Sequence, residues 1–411
     1  MNLVVDIAWT HIAARLRQTV VAVLGVSIGV GFSIMMAALM QGSQDDFVRT
    51  LVNAMPHIAI NDERREAPRQ PAEEAFDTAQ IRGLTPATRR RGINNPIATI
   101  AALESWVPGA VTPSVQARGI LRYGGKDVTS VIVGIDPARE PRVSQLVNHL
   151  RQGSLPALYR ATNAIILGDR LAEKLGARLG SNISMSAGTG KVMTGQVVGI
   201  FRSGVRAVDE GTSYVLIKTA QILAEQTGLI NEIRIRLNDP MNAKAVADRI
   251  IADTGLKTVS WQEANEDLMS AFVIRNIIMY TVVGAILLVA SFGTYNIIST
   301  ITFEKSRDIA IMKSLGLTQA TVRRIFILEG LAIGLAGALA GSVLGFVLTQ
   351  VMLSIEIRTG FTDSTHLPLI VAPLHYAIAG GIALASSAIA GFFPARKAAR
   401  VHPVEIIRGA T

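Results

Sequence analysis

Cysteine is absent from the 411 residues, aromatic residues make up only 5% and charged residues only 17%. Without cysteine there is no disulfide framework and no thiolate metal site. The six histidines (His11, His57, His149, His366, His375, His402) are scattered, with no pair at ligand spacing, so no metal is expected. No G-x-S-x-G nucleophile elbow occurs either. The one glycine-rich run, Ser186-Ala187-Gly188-Thr189-Gly190-Lys191, fails as a phosphate loop. Met185 stands at its leading glycine position, and Val192 replaces the hydroxyl residue that would bind magnesium. No catalytic residue and no cofactor is therefore assigned to the chain itself.

What the sequence does contain is long apolar runs. Thr19–Met40, Asn276–Phe303, Gly330–Ile355 and Leu374–Phe393 are free of Asp, Glu, Lys and Arg. A bilayer core about 30 Å thick needs roughly 20 helical residues, so each run is long enough to cross it. Between the first and second runs, Asp45–Ser270 has the composition of a soluble domain with nearly balanced charge. The expected fold class is therefore membrane α-helical. Four transmembrane helices fall in a 1+3 arrangement, with a large α+β extracytoplasmic domain between the first and second.

The net charge of +9 sits mainly in the N-terminal segment, the loop Glu304–Arg324 and the tail Pro394–Thr411. Short loops rich in Lys and Arg stay on the cytoplasmic side, so both termini are expected there and the large domain outside. The positive charge thus reports topology, and no nucleic-acid partner is expected. The first run exceeds the usual 7–15 residues of a signal peptide core and reads as an uncleaved anchor.

The expected organisation begins with a cytoplasmic amphipathic helix over 1–17. The first transmembrane helix and a stalk over 18–55 follow, stopped before Pro56. An α+β domain of two subdomains spans 56–260, with a charged insertion over about 61–96. A second stalk and helix occupy 261–303, a cytoplasmic helix 304–324, two further spans 325–355 and 374–393, and a tail 394–411. Within the domain, Ser114–Leu121 and Val128–Ile135 flank Tyr123-Gly124-Gly125-Lys126 as a hairpin. Ile183–Ser186 and Val192–Phe201 form a second hairpin, and Asp169–Leu175 and Pro240–Asp253 read as helices.

Two features point to function. Glu304, Lys305, Arg307, Asp308, Ile309, Met312, Lys313, Leu315 and Gly316 lie on a short amphipathic helix that Gly316 ends. Glu304 and Arg307 are spaced to pair, while Ile309, Met312 and Leu315 must bury their apolar face on a partner or on headgroups. Gly330, Gly334, Gly337, Gly341 and Gly345 form a stripe on the third span, and Gly25 and Gly29 repeat the pattern on the first. Such stripes serve helix packing or a dimer seam. Glu329 lies near the inner end of its span, where Arg323 or Arg324 is expected to neutralise it.

These residues carry a resemblance. Asn296-Ile297-Ile298, the run Glu304-Lys305-Ser306-Arg307-Asp308-Ile309-Ala310-Ile311-Met312-Lys313-Ser314-Leu315-Gly316 and the end Phe393-Pro394-Ala395-Arg396-Lys397 with Pro403-Val404-Glu405 resemble ABC-transporter permeases of the FtsX/MacB/lipoprotein-releasing type. Met55-Pro56-His57-Ile58, Val133-Gly134-Ile135-Asp136-Pro137 and Ile166-Leu167-Gly168-Asp169-Arg170 resemble the lipoprotein-releasing (LolC/LolE-like) branch. The resemblance implies a multi-pass protein of the bacterial inner membrane, with a second permease copy or paralogue and membrane lipids as neighbours. It also implies a cytoplasmic ABC ATPase dimer that holds the ATP and magnesium and docks on Glu304–Gly316. ATP-driven movement of the outer domain would extract lipoproteins or similar amphipathic cargo and pass them to a periplasmic carrier. The alternatives are a MacB-like exporter working with a periplasmic adaptor, or a non-transporting FtsX-like regulator of cell-wall enzymes. One permease type of the releasing branch has a long carrier-binding hook, whereas Ser186–Val192 reads as a tight hairpin.

Overall fold

The computed structural model describes residues 3–65, 92–188, 190–314, 316–355 and 367–399. The expected insertion therefore lies mostly outside the described residues, as do Leu315 and the end of the tail. The chain divides into two compact units. The first comprises residues 1–46, 270–358 and 364–411, and the second comprises 47–269 with 359–363.

The helices that build the first unit are α1 (Leu3–Ala14), α2 (Leu16–Ala54), α11 (Glu266–Glu304), α12 (Ser306–Ser314), α13 (Gln319–Leu353) and α14 (Pro373–Ala399). Four of them, α2, α11, α13 and α14, are long and apolar enough to cross a membrane. The fourth helix continues beyond the apolar run that ends at Phe393, with Pro394 accommodated inside α14 and Arg396 and Lys397 in its last turn. All four contribute to one core, through Val26, Val30 and Ile34, Met279, Val283 and Leu287, Ala338, and Ala379 with Ala383. Hydroxyl side chains in these apolar helices bond back to carbonyls one turn earlier. Thr302 donates to the Ile298 carbonyl at 2.8 Å and Thr349 to the Gly345 carbonyl at 2.7 Å. These two hydroxyls are thus satisfied inside their own helices, as an apolar solvent requires.

The glycine stripe of α13 divides its work. A Cβ at Gly330 or Gly334 would press on Ser387 of α14, and one at Gly337, Gly341 or Gly345 on Val26, Val30 or Ile34 of α2. Gly29 packs near Leu287 of α11, whereas Gly25 has nothing within 4 Å. The stripe therefore brings helices of one chain together along its whole length.

Among its described residues the second unit has ten strands in one continuous sheet. Its elements in chain order are β1 (Ile58–Arg64), α3 (Pro96–Glu104), β2 (Gly109–Tyr123), β3 (Lys126–Ile135), α4 (Glu140–Val143), α5 (Leu146–His149) and β4 (Leu150–Gly153). A 3-10 turn over Leu155–Tyr159 leads to β5 (Ile165–Gly168), α6 (Asp169–Leu175), β6 (Asn182–Ala187) and β7 (Val192–Phe201). Then come α7 (Arg206–Gly211), β8 (Thr212–Leu216), α8 (Ile217–Leu223), β9 (Glu232–Leu237), α9 (Ala243–Thr254), β10 (Leu256–Ser260) and α10 (Trp261–Ala264).

Two modules share the strand β2. Its first half, Gly109–Ser114, pairs with β9, which pairs with β1, which pairs with β10, all antiparallel. With α3 between β1 and β2 and α9 between β9 and β10, this is a split β-α-β arrangement. Its core gathers Ile58, Ile60, Ile100, Leu103, Ile233, Ile235, Ile250 and Trp261. The second half of β2 pairs with β3 on one side and β6 on the other. From β3 the ladder runs through β8, β5 and β7 back to β6, so six strands close into a ring. A single cluster draws on all six strands and is the barrel interior: Val115 and Leu121, Ile132, Ile165 and Leu167, Ile183 and Met185, Val197, and Val215. A second cluster, with Val133, Ile135, Ile166, Phe201 and Tyr214, covers the outside of the same ladder. The β2–β3 turn uses Gly124 and Gly125 at φ 57° and 79°, a left-handed pair that suits a two-residue hairpin.

The modules are also locked by charge. Arg234 Nη1 of β9 donates to both carboxylate oxygens of Glu140 in α4, at 2.9 and 3.0 Å. These side chains are 4% and 1% exposed. Glu232 is buried beside them, and burial, partly opposed by Arg234, raises its pKa. Burial pushes Tyr214 up to about 12. Of the segment expected as an insertion, Asn61–Arg64 belong to β1 and Pro96 begins α3.

Candidate functional site

The helix predicted after the second span is α12, and its ends follow from local chemistry. Backbone bonding is unbroken at its start, with Lys305 N–H donating to the Ile301 carbonyl and Ile309 N–H to Lys305, both at 2.9 Å. At its end, Leu317 N–H donates to the Met312 carbonyl and Gly316 N–H to that of Lys313, both at 3.1 Å. This pair of bonds with Gly316 at φ 104° is a Schellman closure, which needs a residue free of Cβ strain. Thr318 then caps α13 by accepting from Thr321 N–H at 3.2 Å. Two helices are thus joined with little free chain, which fixes the direction of α12.

The apolar face of α12 is covered by its own chain. Ile309 is 1% exposed and packs with Ile298 and Ile301 of α11, Val322 and Phe326 of α13, and Ala395 of α14, with Met312 at the edge. Facing away are Arg307, Asp308, Ser314 and Ile311, the last 45% exposed, with Phe303 of α11 83% exposed nearby in sequence. Lys305 pairs with Asp308 at 2.7 Å. Glu304 pairs with Arg15 rather than with Arg307, since the break between α1 and α2 brings Arg15 to it. Lys313 is half-buried and Gly316 exposed. Leu315 lies outside the described residues.

The N-terminal helix is held from beneath in the same unit. His11 Nδ1 lies 2.6 Å from Glu329 Oε1, with the two side chains 11% and 1% exposed. Glu329 is therefore partnered by His11 of α1, while Arg323 and Arg324 are exposed. An isolated carboxylate is costly among apolar helices, and a partner from α1 both offsets that cost and seats α1 on α13. Sequence spacing missed this contact because the partners are separated by 318 positions.

A groove opens between α2 and α11. It has a volume of about 400 Å³ and is lined by Phe32, Met36, Met40, Ile274, Ile278 and Met279, with Arg275 as its one charged residue. Arg275 donates to the Met40 carbonyl at 3.1 Å, stacks 4.8 Å from the Phe272 ring centroid, and leaves Nε buried without an acceptor. The lining is thus apolar with a cation at one end.

Comparison with known proteins bears on both units. Residues 280–403 match the FtsX-like permease C-terminal family, and residues 19–253 match the MacB-like periplasmic core domain family. The lipoprotein-releasing system transmembrane protein LolC of Neisseria meningitidis serogroup B is 27% identical over 95% of this chain and 94% of its own length. The macrolide export ATP-binding/permease protein MacB of Hyphomonas neptunium is 24% identical over 97% of this chain but 60% of its own length. The uncharacterized ABC transporter permease YknZ of Bacillus subtilis is 23% identical over 98% of both. Four apolar helices with an α+β domain between the first two are therefore the body of a membrane permease of the ABC-transporter class. The chain belongs to the family of FtsX-like permeases with a MacB-like periplasmic core domain.

Proposed function

We propose that this chain is the permease subunit of an ABC transporter whose ATPase is a separate subunit docked on α12. In this reading, ATP-driven movement of the α+β domain extracts lipoproteins or related amphipathic cargo from the outer leaflet of a bacterial inner membrane. The observation that carries the coupling role is the seating of α12. Ile309 and Met312 anchor the helix to α11, α13 and α14, so a push on the outward residues Arg307, Asp308 and Ile311 reaches three membrane helices at once. The excess of Lys and Arg in the short loops supports a topology with α12 and both termini in the cytoplasm and the α+β domain outside.

The cargo reading is supported by the identity to LolC and by the groove between α2 and α11. An apolar channel of about 400 Å³ ending in Arg275 suits an acyl chain next to a polar head. A second permease copy or paralogue would complete the complex, and the ATP and magnesium would be bound by the ATPase. The exporter reading, with a periplasmic adaptor in place of a carrier, draws on one observation: β6 and β7 are joined by a turn of only four residues, where a carrier-binding hook would be inserted.

The test has two arms. Ile311→Glu is expected to cut co-purification of the ATPase by about tenfold, roughly 1.4 kcal/mol, while the permease still folds. Undiminished co-purification would remove α12 as the docking helix. Proteoliposomes holding the complete complex and a labelled lipoprotein should release it into a soluble carrier only with ATP. Failure of that release, with ATPase binding intact, would leave the coupling role standing and reject the cargo.

A further inference from the structure

A second cavity lies wholly within the α+β unit, and the coupling role makes no use of it. It measures about 510 Å³ and is bounded by Asn53, His57, Ala110, Arg142, Arg236 and Asn238. These residues come from the end of α2, the approach to β1, the start of β2, α4 and the end of β9. His57 belongs to the Met55-Pro56-His57-Ile58 run that the sequence marks but that the membrane helices leave unexplained.

The polar groups here are mostly donors, and two of them, on His57 and Arg236, are unmatched. His57 is 1% exposed. Its Nδ1 accepts the Leu237 N–H at 3.0 Å, so the neutral ring carries its proton on Nε2, which has the Val52 backbone beside it but no closed hydrogen bond. Asn53 Oδ1 accepts from Gln145 at 3.0 Å and faces Arg236 Nη2 at 3.5 Å, which orients that guanidinium. Arg236 Nη1 is buried without an acceptor. Burial alone lowers the Arg236 pKa, and no carboxylate among the described residues opposes it. The positive field is felt nearby. His149 is shifted down by burial, by Arg151 and by Arg236, and His57 falls to about 4 through burial and Arg236, with the backbone at Val52 and Leu237 opposing.

We propose that this cavity is a binding site for a phosphate-type oxyanion, held by Arg236 and His57 with the exposed Arg142 closing on it. A water molecule would satisfy a donor but leave the cationic charge unopposed. A carboxylate accepts in one plane, whereas a tetrahedral oxyanion presents acceptors in three dimensions to donor-bearing side chains that come from separate elements. Arg236 supplies the planar fork that suits such a group. The phosphate is either a lipid headgroup or a free anion, and both present the same chemistry to these donors.

The experiment uses the full chain, labelled with ¹⁵N-histidine, in nanodiscs of phosphatidylcholine. Inorganic phosphate, glycerol phosphate and sodium chloride are titrated at matched ionic strength, and a parallel sample carries phosphatidylglycerol. The expected result is a saturable shift of the His57 ring nitrogens with phosphate but not chloride. Arg236→Gln should weaken it by about tenfold or more and Arg142→Gln by about threefold, with Arg178→Gln on the barrel surface without effect. Equal saturation by inorganic phosphate and glycerol phosphate identifies a free oxyanion. A response confined to glycerol phosphate or phosphatidylglycerol identifies a headgroup. No response to any phosphate, or the same response to chloride, overturns the site. So does undiminished binding by Arg142→Gln, a substitution at an exposed position that leaves the fold intact.

Discussion

Replacing Glu140 with Gln should destabilise the α+β unit strongly for so conservative a change. The substitution keeps the shape of the side chain but removes the charge that faces Arg234 across two bonds of 2.9 and 3.0 Å. Arg234 is 3% exposed, so water does not replace the lost carboxylate. Breaking one partner of a buried pair costs about 3–5 kcal/mol. Glu232 stays beside Arg234 and offsets part of that cost, which favours the lower end, near 3 kcal/mol. With a urea dependence of about 2 kcal/mol per molar, the midpoint should fall by roughly 1.5 M. Trp261 is buried in this unit and Trp106 half-buried, so their emission reports unfolding, and a Trp9→Phe background removes the third tryptophan. The paired replacement Glu140→Met with Arg234→Met should recover most of the loss, because no buried charge is then left unmatched. A midpoint shift below about 0.3 M for Glu140→Gln would refute the reasoning, as would a double variant no more stable than the single.

Acid should destabilise the same unit through His57. Its folded pKa of about 4 lies below the ordinary 6.5, so the folded state binds fewer protons between those values. Stability from this group is complete above pH 6.5 and falls by up to about 3 kcal/mol as pH drops toward 4. Glu232 and Asp209, both raised by burial, tilt the other way, since their contribution is lost as pH rises. A urea series from pH 7 to 4 on wild type and His57→Gln should therefore show the steeper acid loss only in wild type. In the membrane unit, Gly341→Leu should cost about 1–3 kcal/mol, because a Cβ there would already lie 2.6 Å from that of Val30. Gly25→Leu, with nothing within 4 Å, should leave the thermal midpoint in detergent unchanged.

Local chemistry was the legible part of this sequence. The four spans, the Gly124-Gly125 hairpin, β7 and α6 follow from hydropathy, turn residues and period, all of which act over a few positions. Ring closure was not readable, because it depends on β3 meeting β8 and β6 meeting β2 across long stretches of chain. β1 was hidden by the polar Asn61-Asp62-Glu63-Arg64, which looks like a loop until β9 and β10 flank it. In β9 the alternation of Glu232, Arg234 and Arg236 reads as a solvated face, yet α4 covers it and the first two are buried. For the segment after the second span, the sequence located α12 and its Gly316 stop. Which face looks outward was decided by Val322, Phe326 and Ala395, residues too far along the chain to read from periodicity.

The strand shared by the two modules has an evolutionary consequence. The chain leaves the split β-α-β module near Ser114 and returns at Glu232, and these two positions are direct partners in the ladder. Just beyond them Gln116 and Asn231 clasp each other, by bonds of 2.8 and 2.9 Å between the Asn231 amide and the Gln116 backbone. The barrel is thus a cassette whose two ends meet at one doorway, the geometry in which insertion and exchange disturb a host least. An exchanged barrel must therefore bring its own carboxylate to Arg234, because Glu140 lies inside the cassette while Arg234 stays with the host module.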